Sequence, residues 1–201
     1  YLNAHKNEEA SAYVASFLEP KDLNMVMSTL DPSIVNGRLK GIFDAVKVRL
    51  EAENMRKEAE KNVADGKMAP DFTLKDIQGK DFSLSSLRGK YVILDFWGSW
   101  CGWCIKGMPE MKKYYEKYKG KFEIVGVDCQ DTEVKWKAAV EKHQLPWVHV
   151  KNESKDLTPE KYAVTGFPTK VIINPDGTIN KTVVGEDPEF YKYLDTLFEN
   201  K

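Results

Sequence analysis

The stretch Leu94-Asp95-Phe96-Trp97-Gly98-Ser99-Trp100-Cys101-Gly102-Trp103-Cys104 constrains this chain more than any other. The apolar run from Tyr91 to Trp97 reads as a buried strand. It leads straight into a Cys-x-x-Cys at which a helix begins. A strand of that kind needs a sheet to bury it, and the junction presents both thiols together at the end of the strand. Two of the chain's three cysteines stand here. At this spacing they can close on each other and reopen, which points to redox chemistry on other molecules and away from a structural staple.

The pattern on either side of the junction sets the fold class. Phe72 and Leu74, then Phe82 and Leu84, flank Gln78-Gly79 and read as a hairpin. Residues 85–87 read as a short helical turn, 101–119 as a helix and 122–127 as the next strand. Residues 132–143 read as a helix with Asp131 as its N-cap. A short strand at 148–150 and a short helix at 158–162 follow. Residues 169–173 and 178–184 form a hairpin closed by Asn174-Pro175-Asp176-Gly177. Asp187 and Pro188 suit the N-cap and first position of a closing helix that runs to Phe198. Strand–helix alternation followed by an antiparallel hairpin implies an α/β fold, a central mixed sheet flanked by helices on both faces.

Before Asp65-Gly66 a helical pattern dominates. Ala12, Phe17 and Leu18 precede Pro20, and Leu23, Val26, Met27 and Leu30 precede Asp31-Pro32. Val35, Leu39, Ile42, Phe43, Val46 and Leu50 recur at steps of three and four, the face of a long helix reaching about Val63. The chain thus reads as a helical N-terminal extension, residues 1–66, and an α/β domain, residues 67–201. The extension carries no catalytic constellation. It reads either as a helical layer on the main domain or as a surface for a partner or a second copy.

Composition excludes several functions. A formal net charge of −1 gives no electrostatic grip on nucleic acid or on anionic lipid. The mixed-sign run at residues 51–61 is the solvated side of a helix. No apolar run approaches the roughly 18 residues of a membrane span. No signal peptide is visible and the first residue is Tyr1, which reads as a processed or trimmed chain and leaves open a lipid or membrane anchor upstream. A zinc site would need a second cysteine pair or histidines. Cys129, His5, His143 and His149 offer no such spacing, so neither metal nor cofactor is expected. Cys129 reads as a small buried thiol, His143 and His149 as ordinary residues, and Trp136 and Trp147 as core.

In the Cys pair itself, Cys101 falls at a helix N-terminus, where free N–H groups and the macrodipole favour a thiolate. Cys104 lies one turn further in and is expected to be the more buried. Cys101 is then the attacking thiolate and Cys104 the resolving thiol of a mixed disulfide.

The segment Asp95 to Cys104 resembles the active site of the thioredoxin superfamily. Pro109 falls where thioredoxins carry a helix-kinking proline, and Thr165-Gly166-Phe167-Pro168-Thr169 resembles their cis-proline segment. The resemblance implies a thioredoxin fold, with Pro168 beside the Cys pair and the backbone of Phe167 pairing with substrate. Ala69-Pro70-Asp71-Phe72 is similar to the opening of the TlpA/ResA-like extracytoplasmic thiol reductases, an opening shared with peroxiredoxins. The stretch between Val127 and Tyr162 resembles their extra helix and strand. One departure stands out: the ResA branch carries a glutamate three residues after its second cysteine, where this chain has Gly107. Asp95 instead matches the buried acid of thioredoxin, a proton acceptor for Cys104. Trp100, Gly102 and Trp103 are expected to rim the site and meet substrate.

The resemblance implies a thiol-disulfide oxidoreductase that reduces protein disulfides in the periplasm or elsewhere outside the cytoplasm, supplied by a membrane-linked or soluble thiol donor. Two other readings compete. A module holding a metal or haem cargo would want His or Met beside the pair, and Met108 is the nearby candidate. A peroxiredoxin would need Pro-x-x-x-Thr-x-x-Cys, and the residues before Cys101 contain neither that Pro nor that Thr.

Overall fold

The computed structural model describes residues 20–38 and 40–199, together with His5 and Tyr13. The helix expected on Ala12, Phe17 and Leu18 lies outside the described residues, as do Leu39 and the side chains of Leu23, Met27 and Ile42. The chain forms two compact units, divided between Met55 and Arg56.

In the first unit, α1 (Pro20–Thr29) is followed by the single-turn helix α2 (Pro32–Val35). The Asp31 carboxylate accepts the Ser33 N–H at 2.8 Å, and Pro32 takes the first position, where its missing donor is not needed. Leu30 and Phe43 make a small core on which Val26, Ile34 and Val35 pack. The long helix α3 (Lys40–Asn62) therefore begins at Lys40 and not at Val35. Asp31-Pro32 starts a helix of its own, Asn36 closes it, and Gly37 follows where a Cβ would strike the Ser33 carbonyl.

The second unit holds a seven-stranded sheet in the order β2-β1-β5-β4-β3-β6-β7. The strands are β1 (Thr73–Asp76), β2 (Asp81–Ser83), β3 (Tyr91–Trp97), β4 (Phe122–Cys129), β5 (Val148–Asn152), β6 (Thr169–Ile173) and β7 (Ile179–Val184). β3, β4 and β5 run parallel, while β6 and β7 on one side and β1 and β2 on the other add antiparallel pairs. Parallel neighbours require crossovers. α4 (Gly102–Lys117) carries the chain from β3 to β4, and α5 (Glu133–His143) from β4 to β5. A turn of helix, α6 (Thr158–Lys161), precedes β6, and α7 (Pro188–Phe198) closes the domain. This is the mixed sheet flanked by helices that the alternation of pattern implies.

Two layers of core cover β3. Ile93 and Trp97 pack with Cys104, Met108 and Met111 of α4, Trp136 of α5, and Phe190 and Leu194 of α7. Val92, Leu94 and Phe96 pack on the other face with Phe72, Leu84 and Tyr162. Successive strand residues point to opposite faces, so Asp95 shares the α4 side with Ile93 and Trp97. The cap of α5 differs from expectation by one residue. Thr132 is the N-cap, with Oγ accepting the Lys135 N–H at 3.4 Å, because Asp131 is drawn to another partner described below. Asp187 and Pro188 do open α7 as expected, with the Glu189 N–H donated to Asp187 at 2.9 Å.

Candidate active site

β3 stops at Trp97, and four residues later Cys101 caps α4 with an extended backbone, φ −86° and ψ 99°. The Cys101 N–H donates to the Gly98 carbonyl at 3.0 Å, and the Cys104 N–H donates to Cys101 Sγ at 3.1 Å. Cys101 and Cys104 are joined as a disulfide. Each is only 5 % exposed, so the expected greater burial of Cys104 is not found. What separates the two sulfurs is position. Cys101 Sγ caps the helix, accepting the Cys104 N–H at its positive end, and Cys104 lies inside the first turn.

The loop before the disulfide is held from β4. The Asp131 carboxylate accepts the Ser99 N–H at 2.6 Å and the Ser99 hydroxyl at 2.7 Å. Trp100 Nε1 donates to the Cys129 carbonyl at 3.0 Å, across a Gly98 whose Cβ would collide with that indole. Lys151 Nζ reaches both the buried Asp128 carboxylate, at 2.9 Å, and the Asp131 carbonyl, at 2.6 Å. Burial, reinforced by the Asp131 carboxylate, pushes Asp128 up to about 7 against the pull of Lys151. Burial also works on Asp131, but the two Ser99 donors, with Asp128 and Lys151, outweigh it and hold Asp131 below the usual carboxylate range.

Aromatic rings rim the disulfide. Trp100 and Trp103 are 50 % and 62 % exposed. Trp100 meets Phe167 edge-on at 5.3 Å, and the Lys106 ammonium lies 4.7 Å from the Trp103 ring. Phe167 precedes a cis bond to Pro168, and its side chain packs against the core cluster that holds both cysteines. The Gly185 N–H donates to the Pro168 carbonyl at 2.7 Å. Gly102 is exposed, with nothing within 4 Å of where a Cβ would stand. Gly102 and Trp103 thus lie between the two cysteines in sequence, while Phe167, ahead of the cis bond to Pro168, meets Trp100 and packs on the cluster that holds the Cys pair.

Asp95, on the α4 side of β3, is 7 % exposed, and its Oδ1 lacks any hydrogen-bond partner. Burial holds its carboxyl above the usual range; Lys170 pulls it down and Glu186 pushes it up. Lys170 is the residue opposite Asp95 on β6, and its ammonium pairs with Glu186 at 2.8 Å. Tyr191 of α7 donates to the other Glu186 oxygen at 2.8 Å. Sequence reasoning missed Lys170, Glu186 and Tyr191. A signal existed for one of them: Lys170 is the lone charge in Thr-Lys-Val-Ile-Ile, a strand buried at every position. Cys129 is free and 1 % exposed, and burial pushes its thiol far up. His149 is buried and held down to about 4 by that burial. Trp136 and Trp147 are core. Among the described residues no three His, Cys, Asp or Glu stand together as metal ligands, and no helix is long and apolar enough to cross a membrane.

The profile of the AhpC/TSA family matches residues 66–182, more than half of the chain. The chain belongs to the AhpC/TSA family. This places it in the thioredoxin superfamily, as the motifs around Cys101 and Pro168 imply. Curated relatives include a thiol-disulfide oxidoreductase ResA of Bacillus cereus, 39% identical over 123 residues that cover 60% of this chain and 70% of ResA. The ResA of Bacillus subtilis is 34% identical over 125 residues, covering 62% and 69%. Among solved structures, the thioredoxin domain of a thiol-disulfide oxidoreductase from Bacteroides vulgatus is 33% identical with a TM-score of 0.62, covering 67% of this chain and 98% of that one. A thiol:disulfide interchange protein from Bacteroides sp. is 32% identical with a TM-score of 0.63, covering 69% and 92%. This AhpC/TSA member is an enzyme, a thiol-disulfide oxidoreductase.

Proposed function

We propose that the protein reduces protein disulfides outside the cytoplasm through its Cys101–Cys104 dithiol. In the reduced enzyme the Cys101 thiolate attacks one sulfur of a substrate disulfide. The substrate S–S bond breaks, a mixed disulfide forms at Cys101, and the first substrate sulfur leaves as a thiolate. Cys104 then gives its proton to the Asp95 carboxylate and attacks Cys101 Sγ. The second substrate sulfur leaves, and two electrons have passed from enzyme to substrate. A membrane-linked or soluble thiol donor returns them. Trp100, Gly102, Trp103 and the Phe167 backbone receive the substrate segment that carries the disulfide.

The observation that carries this reading is the placement of Cys101 Sγ, which accepts the Cys104 N–H as the cap of a 16-residue helix. A developing thiolate there meets donors that are already oriented. Asp95 supports the second step, because a buried carboxylate with an open oxygen and a proton affinity raised by that burial is suited to take a thiol proton. The extracytoplasmic setting and the thiol donor rest on the resemblance to the TlpA/ResA-like reductases. The test is reduction of insulin disulfides by the wild type and by Cys101→Ser, together with trapping by Cys104→Ser. The expected result is loss of turnover in the first variant and accumulation of mixed disulfides on Cys101 in the second. Full turnover by Cys101→Ser, or none by the wild type, removes the reading.

A further inference from the structure

A glycine, a glutamate and a lysine that the reaction above does not use stand around Asp95. Gly107 lies on α4 one turn beyond Cys104, and it is buried. A Cβ at that position would overlap the Glu186 carboxylate. Glu186 thus reaches from the turn between β7 and α7 into a space that exists only because residue 107 has no side chain. It is held there from two sides, by Lys170 at 2.8 Å and by the Tyr191 hydroxyl at 2.8 Å, and Tyr191 also reaches the Gly107 carbonyl at 3.4 Å. The ion pair is almost closed to water, with side chains 4 % and 14 % exposed. A buried pair of this kind is weak evidence for stability, so its position asks for another account.

That position is beside Asp95. Lys170 faces Asp95 across the β3–β6 ladder, yet its ammonium is directed to Glu186, and Asp95 Oδ1 has no partner. The groups that bear on Asp95 come from several elements: Lys170 from β6, Glu186 from the turn before α7, Tyr191 from α7 and the Cys129 thiol from the end of β4, while the cysteines of α4 pack with its strand neighbours Ile93 and Trp97.

We propose that Glu186 is a positioning residue for the thiol chemistry: seated in the space left by Gly107, it occupies Lys170 and so sets the pH at which Asp95 takes the proton of Cys104. With Glu186 charged, the Lys170 ammonium is largely neutralised and Asp95 keeps its hold on a proton. Without it, Lys170 faces Asp95 with its full charge and favours the bare carboxylate. The inference rests on the reading of Asp95 as proton acceptor, and the experiment separates the two.

The reduced protein is mixed with 5,5′-dithiobis(2-nitrobenzoate). Attack by Cys101 releases one coloured thiolate, and resolution by Cys104 releases the second, oxidising the dithiol as the aromatic disulfide is reduced. The rate of the second release is followed against pH. In the wild type it rises along a limb that Asp95→Asn abolishes. Glu186→Gln moves the limb to lower pH, Lys170→Gln moves it to higher pH, and Gly107→Ala, which forces the Glu186 carboxylate off α4, moves it as Glu186→Gln does. Opposite shifts from the two partners of one ion pair are not produced by loosened packing. A limb that Asp95→Asn abolishes but that Glu186→Gln and Lys170→Gln leave in place, or move in the same direction, overturns this inference and leaves the Asp95 reading standing. A limb that survives in Asp95→Asn overturns both.

Discussion

Two buried clusters on the same face of the sheet are built from the same parts. Each sets an aspartate of one strand opposite a lysine of the next: Asp95 opposite Lys170 between β3 and β6, Asp128 opposite Lys151 between β4 and β5. Each adds a second acid from a neighbouring loop, Glu186 in one case and Asp131 in the other. In the Asp128 cluster the lysine bonds its own cross-strand partner at 2.9 Å, and the loop acid is taken up by Ser99. In the Asp95 cluster the lysine bonds the loop acid at 2.8 Å instead; Oδ1 lacks a partner in both strand aspartates, and the difference lies in the cation bonded to the second oxygen of Asp128. One lysine contact, made to one carboxylate or the other, separates a strand aspartate tied to its own cation from the one to which we assign the proton transfer proposed above.

The largest expected effect tests that division. Asp95→Asn slows resolution of the mixed disulfide by about a hundredfold while its formation changes little, the usual reach of a general base. Asp128→Asn changes either step by less than about threefold. Stopped-flow release of the two coloured thiolates measures both, and equal slowing by the two variants erases the distinction.

Stability is where the Asp128 cluster should show itself. Lys151→Met leaves Asp128 buried without its cation and the Asp131 carbonyl without its donor, a loss of about 3–5 kcal/mol in denaturant melts of the oxidised protein. A loss below about 1 kcal/mol would mean that the cluster holds nothing.

The pH dependence of stability adds a sign. Asp95 in the folded protein keeps a proton that the unfolded chain releases near pH 3.9. Its contribution is full below that pH and is lost as pH rises through the raised folded value, so Asp95→Asn flattens the fall in stability above about pH 4. His149 acts in the other direction. Held to about 4 when folded, it makes the protein lose about 3 kcal/mol as pH falls from about 6.5 toward 4. Urea melts across that range resolve the two.

Gly107→Ala crowds Glu186 and costs about 1–3 kcal/mol, within the range of overpacked cores. The smallest effect belongs to the cap of α5. Thr132→Ala costs up to about 1 kcal/mol and leaves turnover unchanged, as expected where Asp131 and not Thr132 holds the Ser99 loop. Reduced turnover in Thr132→Ala would reassign the loop's anchor.

Much of this was legible in the sequence. The apolar run before Cys101, the turn chemistry at Asn174-Pro175-Asp176-Gly177 and the cap at Asp187-Pro188 each depend on neighbours in sequence, and each appears where local pattern puts it. Asp131 shows where such reading stops. An aspartate before a helix is an ordinary cap, and only the folded arrangement of β3 beside β4 offers it the Ser99 N–H and hydroxyl instead. Glu186 left no local trace at all, because its partners come from β6, α7 and α4. The equal burial of Cys101 and Cys104 follows from the same cause: how much surface remains at a helix N-terminus depends on what the rest of the fold packs there, here Phe167 among others.

Cys129 has a consequence for the fidelity of the enzyme. A thiol exchanger with a third reactive sulfur can trap itself in the wrong pairing or be diverted by oxidants. Cys129 is sealed under the sheet with its sulfur directed to the Val127 carbonyl, and its thiol is far from ionising. Of the protein's three cysteines, Cys129 is therefore closed off, and only Cys101 and Cys104 are left for the exchange proposed above. A thiol count with a bulky reagent on the native protein should rise from none when oxidised to two when reduced, with the third appearing only on unfolding.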